Sequence, residues 1–244
     1  SRQNCNTEIS YAGMELTQPL IASPMDTVCG FEMAKRLGQL GGLGIIHRFD
    51  KVENQMQDFL SLEAEQIPYG VAVGVGEKAK HRIDQLLSWT NLNVMCIDVA
   101  HGHHKMVKDT VNYIQDIDED MHILAGNICT ADAAQDLESW GADSLRVGIG
   151  NGSMCETRIR AGVGIPQVNA LQQCIETVDI PIISDGGCKT TGDVAKAIGL
   201  GADLVMIGSL FAGTKETPGI ISKMGQWPNE QLYKKYQGSA SIDS

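Results

Sequence analysis

The sequence predicts an α/β protein of the (β/α)8 TIM-barrel class, folded as a single domain over residues 1–244. Short apolar runs recur at regular spacing, and amphipathic stretches of helical length separate them, as in successive βα units. Polar or glycine residues follow nearly every apolar run directly. A barrel gathers all its strand ends on one face, where active sites form, whereas a doubly wound open sheet, the alternative, gathers only a few.

The apolar runs predict strands because they are too short for helices. They lack strict alternation of apolar and polar residues, as expected of strands buried on both faces of a parallel sheet. The eight predicted strands are residues 19–23, 43–46, 71–75, 94–98, 123–125, 144–147, 182–184 and 204–207.

Helical periodicity predicts six helices between these strands. Gly41, Gly141 and Gly201 each follow a predicted helix, where glycine favours a helix C-terminus. No helix is predicted after the eighth strand, because residues 226–244 are polar and irregular, so we expect the closing helix to lie beyond Ser244 or to be absent. The predicted helices are residues 31–40, 78–89, 105–117, 131–140, 168–177 and 192–199.

Composition excludes several classes of function. The net charge of −11 argues against a nucleic-acid-binding protein, because no basic stripe could neutralise phosphates. No apolar run approaches the roughly 18 residues that span a membrane, so no membrane partner is expected. The seven cysteines are scattered and odd in number, which indicates reduced thiols and a cytosolic (cytoplasmic) protein.

A glycine-rich turn after the sixth predicted strand places a cysteine where it could act as a nucleophile. Gly148, Gly150 and Gly152 precede Cys155, Thr157 supplies a hydroxyl two residues later, and Arg158 is the cation beside it. Glycines allow the backbone to approach a ligand closely, and a thiol on such a turn beside a cation is a candidate nucleophile. The alternative is a flexible surface loop that carries an incidental cysteine.

Glycines after the seventh and eighth predicted strands indicate a phosphate site. Barrels often bind phosphate through backbone amides of these two loops, where Gly187 and Gly208 lie, and Ser153 belongs to the neighbouring loop. Two ordinary tight turns are the alternative.

Other polar residues near the predicted strand ends are ambiguous. His101, His103 and His104 invite a metal site, but adjacent histidines do not easily face one ion, and the last two could begin a solvated helix. Asp98 could hydrogen-bond a ribose or a base. Arg146 could line the barrel mouth or form a buried ion pair.

With these residues collected, the chain resembles the inosine-5′-monophosphate (IMP) dehydrogenase / guanosine-5′-monophosphate (GMP) reductase superfamily. The resemblance runs from the segment 19–28 to the segment 236–240, and the run 153–167 around Cys155 is highly specific to that superfamily. It implies a homotetrameric barrel that acts on a purine nucleoside 5′-monophosphate. Cys155 would attack C2 of the purine while hydride passes to or from NAD or NADP.

The resemblance also implies residue roles. Cys155 and Thr157 would be catalytic, and carbonyls of Gly150, Gly152 and Cys155 would bind a potassium ion. The residues expected beside the nicotinamide are Asp98, Asn127, Arg146, Gly148 and Gly150. The residues expected to bind the nucleotide are Ser23, Met25, Ser153, Asp185, Gly186, Gly187, Gly208, Ser209, Tyr236 and Gly238.

Motifs of both branches of the superfamily are present. The runs 161–167 and 208–213 resemble dehydrogenases, whereas 96–100 and 185–188 resemble reductases. The stretch from His47 to Val71 is too short for the tandem regulatory CBS pair. We therefore expect a compact IMP dehydrogenase without a CBS domain, which oxidises IMP to xanthosine monophosphate with NAD. The alternatives are a GMP reductase that uses NADPH and a non-catalytic purine-nucleotide-binding barrel.

Overall fold

Eight parallel strands close into a barrel in a computed structural model that describes residues 5–88, 92–225 and 230–238. The strands pair in chain order, and the last pairs with the first, which confirms the (β/α)8 prediction. The barrel strands are β3 (Leu20–Ala22), β4 (Leu43–Ile46), β5 (Tyr69–Val73), β6 (Val94–Asp98), β7 (His122–Ile128), β8 (Ser144–Val147), β9 (Ile182–Asp185) and β10 (Leu204–Ile207). All eight coincide with the predicted strands to within a few residues.

Two short hairpins flank the barrel and were not predicted. Strands β1 (Ile9–Tyr11) and β2 (Met14–Leu16) pair before the barrel begins, and β11 (Ser222–Met224) pairs with β12 (Gln231–Tyr233) after it. The prediction of irregular structure from residue 226 onward is therefore wrong at β12. The remainder of that prediction, at 226–229 and 239–244, lies outside the described residues.

The helices surround the barrel, and one of the long ones was missed from sequence. They are α1 (Phe31–Gln39), α2 (Val52–Ala64), α3 (Glu77–Leu87), α4 (Lys105–Ile117), α5 (Ala131–Ser139), α6 (Thr157–Arg160), α7 (Gln167–Ile175), α8 (Thr191–Gly199) and α9 (Ser209–Ala212). The missed helix is α2, whose buried face contains the polar Gln55 beside Phe59 and Leu62. The Gln55 amide donates to the carbonyl of Ala72 at 2.9 Å, so this burial is compensated.

Glycine ends three of the helices as predicted. Gly41, Gly141 and Gly201 follow the C-caps of α1, α5 and α8 with φ of 85°, 99° and 108°. That left-handed conformation lets the chain reverse into the next strand. At the opposite end of α8, Thr190 and Asp193 form a capping box.

The barrel interior changes from apolar to polar along the strands. Inward-facing side chains such as Ile21, Cys96 and Ile183 pack with the β1–β2 hairpin at the N-terminal face. Because side chains alternate along a strand, the next inward positions of β6 and β9, two residues further on, are Asp98 and Asp185. The fold therefore places charged side chains at the C-terminal mouth of an apolar barrel.

Within the described part of the chain, no helix is both long and apolar enough to cross a membrane.

Candidate active site

One cavity of about 270 Å³ opens at the C-terminal ends of the barrel strands. Every residue to which the resemblance assigned a site role lines it, so the structure brings all of those residues together. They are Ser23, Met25, Asp98, Asn127, Arg146, Gly148, Gly150, Gly152, Ser153, Cys155, Thr157, Asp185, Gly186, Gly187, Gly208, Ser209, Tyr236 and Gly238.

A buried arginine holds two carboxylates at the floor of the cavity. Arg146 donates from Nη1 to Asp98 Oδ1 at 2.5 Å and from Nε to Asp185 Oδ2 at 2.8 Å. Burial acts to lower the pKa of Arg146, but Asp185 and Asp98 outweigh it and hold that pKa above its usual value. Sequence analysis offered two interpretations of Arg146, a residue that lines the barrel mouth and a member of a buried ion pair. The structure shows both, because the ion-paired Arg146 also lies in the cavity wall.

Asn127 adds a second donor to the same network. Its Nδ2 donates to Asp185 Oδ2 at 2.6 Å and to the carbonyl of Gly148 at 2.8 Å. Among the described residues, no donor reaches Asp185 Oδ1. That oxygen remains able to accept from a ligand hydroxyl, as the predicted contact with a ribose requires.

The thiol of Cys155 lies at the wall of the cavity in contact with a hydroxyl. Cys155 Sγ donates to Thr157 Oγ1 at 3.2 Å, and the backbone amide of Cys155 donates to the carbonyl of Gly152 at 3.0 Å. Thr157 is the first residue of α6, so the turn and the helix together set the spacing of thiol and hydroxyl. A half-buried thiol in the wall of a cavity, with a hydroxyl in hydrogen-bond contact, is a candidate nucleophile.

The segment that carries this thiol, residues 148–166, is here called the Cys155 loop, and polar side chains attach it to the barrel. Asn151 donates to Gln167 Oε1 at 2.6 Å and to the carbonyl of Asp185 at 2.8 Å. Gln167 donates in turn to the carbonyl of Val147 at 2.8 Å. The beginning of the loop is thus tied to strands β8 and β9.

Arg158 joins the two halves of the same loop. Its Nη2 donates to the carbonyl of Ile165 at 3.0 Å, and its aliphatic stem lies where a Cβ on Gly150 or Gly164 would be. These glycines permit the close approach. Sequence analysis placed a cation beside the thiol, and the structure shows that this cation organises the loop.

Two glycines after β9 leave room on the predicted phosphate side. Gly186 and Gly187 have φ of 79° and 83°, a left-handed conformation that side chains rarely adopt. Ser209 begins the short helix α9, and its hydroxyl donates to the carbonyl of Cys188 at 3.4 Å. The only cationic side chains among the described lining residues are Arg48 and Arg146, and both already pair with carboxylates, Arg48 with Asp98 and Arg146 with Asp98 and Asp185. A phosphate at the β9 and β10 loops would therefore be held by backbone amides.

A C-terminal segment covers this side of the cavity. Tyr236 places its hydroxyl 3.1 Å from where a Cβ on Gly208 would lie, beside Met25. Burial raises the pKa of Tyr236, partly offset by a hydrogen bond with Ser153. Gln237 donates to Asp26 Oδ2 at 3.2 Å and fixes the segment to the loop after β3. Residues 239 and 240, the last of the segment 236–240 that carries the resemblance, lie outside the described residues.

The histidines after β6 have other partners. His104 caps α4 by accepting the amide of Met106, and His103 pairs with Asp136 at 2.7 Å. This agrees with the interpretation as a helix start. Residues 5–88, 92–225 and 230–238 contain no cluster of three His, Cys, Asp or Glu side chains that could hold a metal ion.

Sequence reasoning gave no role to several residues of the cavity wall. Asn151 and Cys188 lie in the loops after β8 and β9, and Arg48 lies two residues after the end of β4. Their position after predicted strands could have indicated that they lie at the barrel mouth. Their contacts could not be predicted, because the partners are distant in the sequence.

Comparison with known proteins agrees with this geometry. The pattern of the family described as "IMP dehydrogenase / GMP reductase domain" matches residues 1–244. Proteins named GMP reductase from Bacillus licheniformis and Bacillus subtilis are each 37% identical over 246 residues, which cover 99% of this chain and 73% of theirs. A GMP reductase from Mesoplasma florum is 35% identical over 248 residues, covering 99% of this chain and 75% of its own. These names favour the reductase branch over the dehydrogenase branch that sequence analysis placed first. The chain, an NAD(P)-dependent oxidoreductase barrel for purine nucleotides, belongs to the IMP dehydrogenase / GMP reductase family.

Proposed function

We propose that the chain is the catalytic barrel of a GMP reductase, which converts GMP to IMP and ammonia with NADPH. The observation that carries this proposal is the similarity to proteins named GMP reductase along 99% of the chain, combined with a cavity that contains Cys155. The proposal replaces IMP oxidation as the first interpretation.

The cavity suits a purine nucleoside 5′-monophosphate bound across Cys155. Backbone amides near Gly187 and Gly208 would hold the 5′-phosphate, and the free Oδ1 of Asp185 would accept from a ribose hydroxyl. Met25 and Tyr236 would cover the nucleotide from the side of β3. The purine would then extend toward the thiol.

The wall beyond the purine fits a nicotinamide. Val99 and Ala100 offer apolar surface to a flat ring, and Asn127 offers an amide to its carboxamide. When bound, the reduced dinucleotide supplies a hydride. Arg146 keeps Asp98 and Asn127 in place through the carboxylate network.

The Cys155–Thr157 pair accounts for the loss of ammonia. The sulfur of Cys155 forms a bond to C2 of the purine, and the bond from C2 to the exocyclic nitrogen breaks. The Thr157 hydroxyl accepts a hydrogen bond from the thiol, with 3.2 Å between Sγ and Oγ1. Through this hydroxyl the thiol proton is relayed to the departing nitrogen, so ammonia leaves. Addition of hydride at C2 then breaks the carbon–sulfur bond, which gives IMP and a Cys155 thiolate that takes a proton from solvent.

A potassium ion and a homotetramer belong to the same proposal. Carbonyls of Gly150, Gly152 and Cys155 would hold the ion, and the Gly152 carbonyl retains a lone pair beside its bond to the Cys155 amide. Light scattering of the purified protein measures the assembly.

The test is a comparison of two nucleotide-dependent reactions. GMP should drive oxidation of NADPH, followed as falling absorbance of the reduced nicotinamide, whereas IMP with NAD should give little reduction. Rapid reduction of NAD with IMP alone would replace the proposal with the dehydrogenase, whose motifs the segment 161–167 also resembles. If neither reaction occurs while GMP still protects Cys155 from alkylation, a non-catalytic nucleotide-binding barrel is the remaining function.

A further inference from the structure

Lys234 is a half-buried lysine that lies outside the cavity and has no part in the mechanism above. It follows β12, whose three residues are all exposed, and precedes Tyr236 and Gly238, which line the cavity. Two peptide units separate Lys234 from Tyr236, so their Cα atoms are at most about 7 Å apart. Lys234 is therefore the point at which an exposed strand continues into the proposed nucleotide site.

Oxygen atoms of the turn after α9 surround the ammonium group of Lys234. Its Nζ donates to the carbonyl of Thr217 at 2.5 Å and to the carbonyl of Lys215 at 2.8 Å. The Thr217 hydroxyl oxygen lies 3.4 Å from the same nitrogen. A lysine ammonium has three N–H donors, and these three oxygens give each donor an acceptor. The side chain of Lys234 is thus bound to one turn of the barrel.

The turn that accepts these bonds is itself fixed. Thr217 is 3% exposed, and its hydroxyl donates to the carbonyl of Thr214 at 2.9 Å, so the lone pairs of that hydroxyl remain for Lys234. The turn follows α9, whose first residue, Ser209, belongs to the predicted phosphate site. Lys234 therefore joins the segment of Tyr236 to the barrel connection that is expected to bind the phosphate.

The contacts on the other side of Tyr236 are longer. Gln237 donates from Nε2 to Asp26 Oδ2 at 3.2 Å, and its carbonyl accepts from the Thr27 hydroxyl at 3.3 Å. The two carbonyl contacts of Lys234, at 2.5 and 2.8 Å, are shorter and have a charged donor. Short, charge-assisted hydrogen bonds are the stronger ones. Of the contacts that flank Tyr236, those of Lys234 therefore contribute most to its position.

We propose that Lys234 is a positioning residue for the nucleotide, because its bonds to the turn after α9 hold Tyr236 in the place where it covers GMP. The inference rests on the proposed function, since it takes GMP as the molecule that Tyr236 covers. Without these bonds, the segment of Tyr236 would be ordered only when GMP binds, and the cost of this ordering would reduce the affinity. Tyr236 covers GMP before and during the reaction, so the loss belongs to the KM for GMP and much less to kcat.

The first test compares Lys234→Met with Lys235→Met, in which the exposed neighbouring lysine is replaced. Lys234→Met should raise the KM for GMP about tenfold, the effect expected from the loss of a hydrogen bond with a charged group. Its kcat and its KM for NADPH should remain within about twofold of the parent, because neither depends on Tyr236. Lys235→Met should match the parent in all three constants.

A small amine gives an independent measurement. In Lys234→Ala, ethylammonium can place an ammonium group among the three oxygens, whereas tetramethylammonium has no N–H donor and cannot. Ethylammonium chloride should therefore lower the KM for GMP of Lys234→Ala toward that of the parent, and tetramethylammonium chloride at the same concentration should not. A KM that ethylammonium lowers no more than tetramethylammonium does would contradict the inference.

Two further outcomes overturn the inference. One is an unchanged KM for GMP in Lys234→Met. The other is a fall in kcat and in the urea midpoint with that KM unchanged, which would show a structural role only. Protection of Cys155 from alkylation measures GMP binding without turnover. If the parent does not turn over GMP, but GMP protects Cys155 less well in Lys234→Met than in the parent, the proposed function fails and the inference stands.

Discussion

Replacement of Arg146 by methionine tests whether the charged network at the barrel mouth stabilises the fold. The arginine side chain is 8% exposed, and its partners Asp98 and Asp185 are 9% and 13% exposed. Arg146→Met would leave two nearly buried carboxylates without their shared cation. Removal of one partner of a buried ion pair costs about 3–5 kcal/mol.

The lower end of that range is expected here. Arg48 still faces Asp98 at 3.3 Å, and Asn127 still donates to Asp185 at 2.6 Å, so neither carboxylate is left entirely unpaired. We expect a loss of about 3 kcal/mol in the free energy of unfolding. For a domain of this size, this loss lowers the urea midpoint by about 1 M.

The assay is urea denaturation of the parent, Arg146→Met and the surface control Arg36→Met. The control should remain within about 0.5 kcal/mol of the parent. A loss below about 1 kcal/mol in Arg146→Met would refute the reasoning.

Three further predictions concern other parts of the chain. Burial lowers the pKa of His122, so the unfolded state takes up a proton at a higher pH than the folded state does, and the free energy of unfolding should decrease as the pH drops below about 6.5. In urea denaturation the decrease should be smaller for His122→Gln than for the parent. An equal decrease in both proteins would contradict this prediction. Iodoacetamide should modify Cys155 unless GMP is bound, whereas Cys174, whose pKa burial raises to about 12, should resist with or without GMP; mass spectrometry of the peptides decides. Turnover should be faster in potassium than in sodium chloride, and equal rates would remove the ion from the proposal.

The strands and the shared location of the candidate site residues were predictable because both follow from local sequence. Each barrel strand is a short apolar run, and the residue after the run lies at the barrel mouth. This location does not depend on which side chains the residue contacts there. Asp98 and Asp185 could therefore be assigned to one site although 87 positions separate them in the printed sequence. Because the barrel brings the C-terminal ends of all eight strands to one face, residues that follow different strands lie close together.

Other features depend on tertiary contacts that no local pattern records. Helix α2 was missed because Gln55 interrupts its apolar face, and its burial becomes favourable only through the carbonyl of Ala72. The β1–β2 hairpin turns at Ala12 and Gly13, without the Asn-Gly or Asp-Gly pair that usually marks such turns. Arg48 received no role from sequence, because its contact with Asp98 joins residues 50 positions apart.

The branch of the family was not predictable from motifs. The segment 161–167 resembles dehydrogenases and 185–188 resembles reductases, although both line or adjoin the same cavity. Both reactions use a thiol at C2 and a nicotinamide. Residues that serve steps common to both cannot separate them, so comparison along the whole chain was more informative.

The most direct test of the account follows the hydride to C2 of the purine. The protein is incubated with GMP and NADPH that carries deuterium at the transferable C4 position, and the products are analysed by mass spectrometry and an ammonia assay. The account predicts IMP with one deuterium at C2, equimolar ammonia, and neither product from Cys155→Ala. Xanthosine monophosphate in place of IMP, unlabelled IMP, or turnover by Cys155→Ala close to that of the parent would contradict it.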